Sequence, residues 1–291
     1  MTPRIERVSK GCLTLRTWVA CSPMALPEPT DTSTALVTGA SSGIGEEIAR
    51  QLAARGHGVT LVARREDRLK ALAEELYETH GVRAEFITAD LGSDVGREEM
   101  LAKVEALGLD VEILVNNAGF GGSGPVHRLD ASRLASMVAL NCETLVFLQA
   151  SLSSAMADRG RGAIINIAST SAFQPIPFTA TYAATKAFVL SLSEATHNEL
   201  SPKGVSVTAV CPGPVKTEFA EQAGLGDAND KLPGFIWTDV EQVAREAVEG
   251  AEKGSRVVVP GLINRAGSIM GQHTPRAVVL PLAKRAWRAA E

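Results

Sequence analysis

Seven short runs of apolar, largely β-branched residues recur from Thr34 onward: "TALVT", "GVTLVA", "RAEFITA", "VEILVN", "GAIINIAS", "VSVTAVC" and "RVVVP". They are apolar nearly throughout rather than alternating, so both faces of each strand must be covered, as in a parallel sheet sandwiched between helical layers. Longer stretches with helical periodicity, such as "GEEIARQLAAR" and "REDRLKALAEELYETH", lie between them. The pattern predicts a single doubly wound α/β domain, about seven strands in a parallel sheet with helices on both faces.

The bulk properties agree and narrow the partners. A chain of 291 residues, 45% apolar, buries a large core. Its net charge of -4, with both signs mixed along the chain, leaves no basic field to neutralise a phosphate backbone, so nucleic acid is not expected as a partner. Cys12, Cys21, Cys142 and Cys211 show no CxxC spacing, which argues against a metal site or a disulfide framework and fits a reducing, cytoplasmic setting. No apolar run reaches the roughly 18 residues that a membrane span needs.

Residues 1–33 have no periodicity and read as a disordered leader or, given Met24, an over-extended translation start. A transit-type peptide is the alternative, since Arg4, Arg7, Lys10 and Arg16 oppose only Glu6. The folded domain is expected over 34–262.

Chemistry begins at "TGASSGIG", which leaves a strand and enters a helix. Gly39, Gly43 and Gly45 stand where the backbone turns tightly and approaches a phosphate on a helix N-terminus, while Ser41 and Ser42 add hydroxyls. A Rossmann-type dinucleotide site is implied; the bland alternative is a tight strand-to-helix connection. After the second strand, where an NAD-binding chain carries a carboxylate for the adenosine ribose, stand Ala63, Arg64 and Arg65. With no carboxylate to repel it and guanidinium groups to pair with it, a 2′-phosphate fits, so NADP is expected over NAD. Arg64 is the stronger candidate ligand and Arg65 the weaker, because Arg65 also opens a mixed charge run.

"TGASSGIG", "NNAG" at 116–119, Asn141, Ser169, the Tyr182-x-x-x-Lys186 pair and "PGPVKT" at 212–217 together resemble the short-chain dehydrogenase/reductase family, over nearly all of residues 34–262. Thirteen residues lead from Ser169 to Tyr182, as that pattern expects. The chain looks most similar to the NADP-dependent bacterial branch that is also similar to 17β-hydroxysteroid dehydrogenases and 3-ketoacyl reductases.

The resemblance implies an oxidoreductase that interconverts a carbonyl and a secondary alcohol on an apolar or acyl-type small molecule. Tyr182 would be the acid/base, with Lys186 one helical turn on supplying the cation that a phenol with an ordinary pKa near 10 needs. Ser169 would hold the substrate oxygen, and Asn141 would complete a proton relay by its backbone and its contact with Lys186. The cofactor would be held by Gly39, Ser41, Ser42, Gly43, Ile44, Gly45, Arg64, Arg65, Asp90, Leu91, Asn117, Ala118, Gly119, Tyr182, Lys186, Pro212, Gly213, Val215 and Thr217. Each also has a bland reading: Tyr182 a packed aromatic beside a snorkelling amine, Ser169 a cap, Asn141 a helix-interior amide, "NNAG" an Asx-type turn, Asp90 an N-cap. No metal site is expected.

Residues 218–238, with Phe219, Leu225, Phe235, Ile236 and Trp237, suit a lid over an apolar substrate; a plain surface excursion is the alternative. From 263 the tail sets Arg265, Arg276, Lys284, Arg285 and Arg288 against Glu291. Packing on its own domain or a neighbouring subunit ranks first for it, contact with an anionic membrane second. A homodimer or homotetramer, paired through the helices carrying Asn141 and Tyr182, follows from the resemblance. Two other readings remain: a catalytically silent NADP-binding scaffold, and a membrane-peripheral lipid or steroid reductase.

Overall fold

In the computed structural model, residues 26–219, 223 and 234–288 are described. The predicted leader is therefore covered only from Leu26, and most of the predicted lid lies outside the described residues.

The seven apolar runs form one sheet of order β3-β2-β1-β4-β5-β6-β7, every adjacent pair parallel. The strands are β1 (Ser33–Thr38), β2 (Val59–Ala63), β3 (Ala84–Thr88), β4 (Asp110–Asn116), β5 (Gly162–Ile167), β6 (Val205–Val210) and β7 (Val257–Val258). All residues of β1, β5 and β6 are buried, which is why their sequences carry no alternation.

Helices cover both faces. On one, α1 (Gly43–Ala53), α2 (Glu66–His80) and α7 (Val240–Glu252) pack Ile48, Leu52, Leu69, Leu76 and Val248 against β1 and β4. On the other, α3 (Asp94–Ala106) and α5 (Thr144–Arg159) bury Met100, Val104, Leu148 and Met156. Beside them α6 (Ala180–Leu200) buries Val189 and Leu190. The chain ends in α8 (Leu262–His273) and α9 (Arg276–Arg288).

The helix α4 (Ala131–Val138) runs into α5 through a π-helical turn, Ala139–Glu143. By length and composition alone the helical run Ala131–Arg159 could cross a membrane, an 18-residue window within it having a mean hydropathy of 1.3. Arg133, Asn141, Glu143 and Gln149 interrupt it, so it is not an unbroken apolar run of that length. Its apolar character has a local cause: Met137, Leu145, Leu148 and Met156 are buried in the domain.

The strand order reverses at β1, whose neighbours are β2 and β4. Chains leaving the carboxyl ends of β1 and β4 diverge, and the crevice between them is where such sheets receive ligands.

Candidate active site

One cleft of about 990 Å³ opens there. It is lined by every candidate catalytic or cofactor-binding residue named from the sequence except Gly45 and Asn141.

The nucleotide half is an interlock of backbone and side chains. Gly39 takes φ +67°, and a Cβ there would stand 2.7 Å from Asn117 Nδ2. At Gly45 a Cβ would meet the same nitrogen at 2.3 Å and Gly39 O at 2.6 Å, so Gly45 serves the packing of α1 on the strand rather than the cleft. Asn117 Nδ2 donates to Thr38 O at 2.9 Å and Gly39 O at 3.2 Å. The Thr38 hydroxyl donates to Val115 O at 3.0 Å and accepts from the backbone N–H groups of Asn117 and Ala118, also at 3.0 Å. Thr38 thus ties β1 to the loop after β4, a role the motif contained but the sequence reading did not assign.

The first turn of α1 has no side-chain cap, which leaves its amides for an anion. The Ser42 hydroxyl, which could have capped it, instead accepts from Arg65 Nη2 at 2.7 Å. Arg65 also donates to Ser41 Oγ at 3.1 and 3.0 Å and pairs with Glu218 at 2.7 Å. Glu218 bridges on to Arg68, and the two guanidinium groups hold its carboxyl well below the usual range. Arg64 is exposed at the cleft rim. Geometry therefore ties Arg65, the weaker candidate by sequence, more closely to the glycine turn.

Asp90 lines the cleft but is not an N-cap: its Oδ1 accepts from Gly92 N at 3.1 Å, and Ser93 caps α3 by accepting from Gly96 N. Leu91 is buried beneath it, its carbonyl accepting from Thr144 Oγ1 at 2.6 Å.

The other half gathers the candidate catalytic residues Ser169, Tyr182 and Lys186. Ser169 follows β5 and caps a short 3-10 turn, accepting from Ser171 N at 3.1 Å, so the cap reading and the site reading both hold. Tyr182 stands in the first turn of α6, half-buried, with the Phe219 ring 5.6 Å away. Burial pushes its phenol up to about 12, while a hydrogen bond from Ser169 pulls the other way. Lys186 is 6% exposed; its Nζ donates to Ile167 O at 2.7 Å and lies 5.7 Å from the Tyr182 ring centroid. Burial brings its ammonium down to about 8.

Burial works against the acidifying effect expected of the nearby cation. Both groups sit in the same desolvated wall, where each charged form is disfavoured, and the ammonium is spent on a carbonyl and a ring face. At neutral pH the pair is a neutral phenol beside a cation, which suits it to donate a proton.

Asn141 lies in the π-turn, where the helix ladder opens. Its Oδ1 accepts from Phe120 N at 3.1 Å, and its Nδ2 donates to Phe120 O and Thr185 Oγ1, both at 3.0 Å. The expected contact with Lys186 is replaced by one with its neighbour Thr185. The immediate effect is to clamp the loop after "NNAG", where a Cβ at Gly119 would meet Asn141 Oδ1 at 2.8 Å.

Pro212, Gly213, Val215 and Thr217 close the far wall. Val215 bridges to Thr238, and Thr217 lies against the space a Cβ on Gly43 would take. Asn264 of α8, not found from sequence, fills the space beside Gly213 and donates to Thr238 Oγ1 at 2.9 Å. Phe120, Leu140, Phe219 and Trp237 add apolar wall.

The family model described as short chain dehydrogenase matches residues 33–227. The NADP-dependent 3-hydroxy acid dehydrogenase YdfG of Salmonella typhi is 38% identical over 220 residues, 74% of this chain and 86% of the relative. The very-long-chain 3-oxoacyl-CoA reductase of Anas platyrhynchos is 34% identical over 213 residues, 71% of this chain and 67% of the relative. The solved structure of a short-chain dehydrogenase from Sphingobium yanoikuyae in complex with NADPH superposes with a TM-score of 0.74 at 37% identity, covering 82% of this chain and 92% of that one.

Proposed function

This chain belongs to the short chain dehydrogenase family and is an oxidoreductase; from that premise we propose that it reduces a ketone on an apolar or acyl-type molecule with NADPH, Tyr182 being the proton donor. The observation that carries the reading is the placement of Ser169, Tyr182 and Lys186 in the same cleft as the uncapped start of α1 and its glycine turn.

A dinucleotide fits this cleft: the amides of α1 and the Arg65 guanidinium suit a diphosphate and a 2′-phosphate. The absence of a carboxylate at Ala63, with Arg64 and Arg65 following, favours NADP over NAD. The names of the NADP-dependent relative and of the NADPH-bound structure support the same choice. When bound, the cofactor supplies the hydride.

The residues of the chain do the rest. Ser169 donates to the substrate oxygen and holds it near the phenol. As the carbonyl carbon gains hydride, Tyr182 gives its proton to the oxygen, and the product is the secondary alcohol. Lys186 then stabilises the phenolate and binds the cofactor ribose, while Asn141 fixes the loop from Gly119 to Phe120 and, through its backbone, supports the return of a proton by way of water. Asp90 and Leu91 would hold the adenine end, and Asn117, Ala118, Pro212, Gly213, Val215 and Thr217 would hold the rest of the cofactor. Phe219 and Trp237, with Leu140, give the substrate an apolar wall. Two subunits pair through α5 and α6, where Val146 and Phe188 are exposed beside Ala184 and Ala187. The setting we assign to it is the cytoplasm.

The test uses NADPH carrying deuterium at the transferable position and a panel of ketones and 3-ketoacyl thioesters. One deuteron on the new carbinol carbon is the expected result. Tight NADPH binding with no transfer to any member of the panel would identify a silent binding protein instead.

A further inference from the structure

The tail helices are amphipathic the wrong way round for a helix that only packs on its own domain. The inward face of α8 is small and polar: Asn264 lies against Gly213, Ser268 is 7% exposed, and Gly271 approaches Gln174 so closely that a Cβ would stand 2.7 Å from its Oε1. The outward face is a stripe of Leu262, Ile263, Ile269 and Met270, exposed by 84%, 51%, 54% and 69%. A water-facing helix would place these residues inside. Among the described side chains of α9 only Val279 is buried, while Val278, Leu280 and Leu282 are exposed by 49%, 39% and 62%. Of the packing on its own domain or a neighbouring subunit that ranks first from the sequence, the own-domain half accounts for the polar face and leaves the apolar one unpartnered among the described residues.

Charge selects the occupant. Between Leu262 and Ala290 the chain has the cations Arg265, Arg276, Lys284, Arg285 and Arg288 and no acid, within a protein of net charge -4. The remainder is therefore acidic, and the tail is a cationic, apolar end on a body that an anionic surface repels. A second copy meeting this face by two-fold symmetry would bring like charges together. The exposed Val146 and Phe188 on α5 and α6 offer a separate apolar face for pairing. Apolar surface also continues from the tail onto the domain: Lys284 stands at a second cleft, of about 360 Å³, whose lining includes Pro125, Val126 and Pro177, with Val126 58% exposed.

We infer that α8 and α9 form an interfacial platform that seats the protein on an anionic lipid bilayer, the stripe from Leu262 to Met270 entering the headgroup boundary and Lys284 and Arg285 pairing with lipid phosphates. Asn264 joins this platform directly to Gly213 of the catalytic cleft. The bilayer therefore lies beside the site without requiring any particular reaction there.

The experiment is co-sedimentation of the full chain with phosphatidylcholine vesicles and with vesicles that also contain phosphatidylglycerol. The protein pellets only with the second kind and is released by high salt. Lys284→Gln with Arg285→Gln lowers the partition coefficient roughly 25-fold, since each cation near such a surface contributes about a factor of five. Met270→Asp, at an exposed position that leaves the fold intact by thermal melting, abolishes pelleting but not turnover of a soluble ketone. Failure to pellet with the anionic vesicles overturns the inference. So does a change in oligomeric mass on Met270→Asp, measured by light scattering, which would assign the face to a second subunit.

Discussion

The two halves of the cleft hold their polar groups in opposite ways. Around the glycine turn, Thr38, Asn117 and Arg65 each make several hydrogen bonds, and the shape is fixed by contacts in which a single added methyl has no room. Around Tyr182, the phenol and the Lys186 ammonium have few partners and are held in a desolvated wall that disfavours both charges. One half is specified by packing and the other by electrostatic environment, so the two respond to different perturbations.

The largest effect is expected at the point where the halves meet. Lys186→Ala removes both the cation and a cofactor contact, so kcat falls by about 10²–10⁴ and NADPH affinity falls with it, as read by steady-state kinetics and fluorescence titration. Arg65→Ala acts on the nucleotide half alone: NADPH binds about 10–100-fold more weakly, from the loss of charge-assisted hydrogen bonds, while NADH affinity is unchanged. Equal losses for both cofactors would remove the 2′-phosphate from the argument. Gly45→Ala tests packing, because its methyl meets Gly39 O as well as the Asn117 amide. It lowers stability by about 1–3 kcal/mol in denaturant titrations and weakens NADPH binding.

The smallest effect separates the halves by pH. Lys186 titrates near 8 when folded and near its ordinary 10.5 when unfolded, so between those values the unfolded chain holds the extra proton. Stability then rises with pH across that window, and the burial cost of the ammonium is felt fully below it. Cys211 and Tyr182, both pushed up to about 12, act in the opposite sense above 9 and 10. The Lys186 contribution therefore stands clearest from pH 8 to 9, as the difference in melting temperature between the wild type and Lys186→Met. A difference that does not change with pH would show that burial does not depress this ammonium.

The sheet was legible because each strand is buried on both faces and so writes itself as a continuous apolar run. That Ser169, Tyr182 and Lys186 share one cleft was legible because several motifs stand together in the order and spacing of the family, where the Tyr-x-x-x-Lys pair alone would read as a packed aromatic beside an amine. The rest depends on contacts between distant segments. Nothing in "ALNCE" marks a π-turn, yet that turn directs Asn141 to Phe120 and Thr185 instead of Lys186. Asn264 reaches Thr238 across 26 positions of sequence and has no motif. The stripe Leu262, Ile263, Ile269, Met270 has the spacing of a buried helix face; periodicity shows that these residues share a side, and only packing shows that the side is outward.

The comparison between the halves is tested most directly by Tyr182→Phe, with NADPH affinity and turnover measured on the same preparation. The phenol oxygen belongs to the electrostatic half, so kcat for ketone reduction is predicted to fall by about 10²–10⁴ while the NADPH dissociation constant stays within about twofold. Undiminished turnover, or a parallel loss of cofactor binding, would contradict the account.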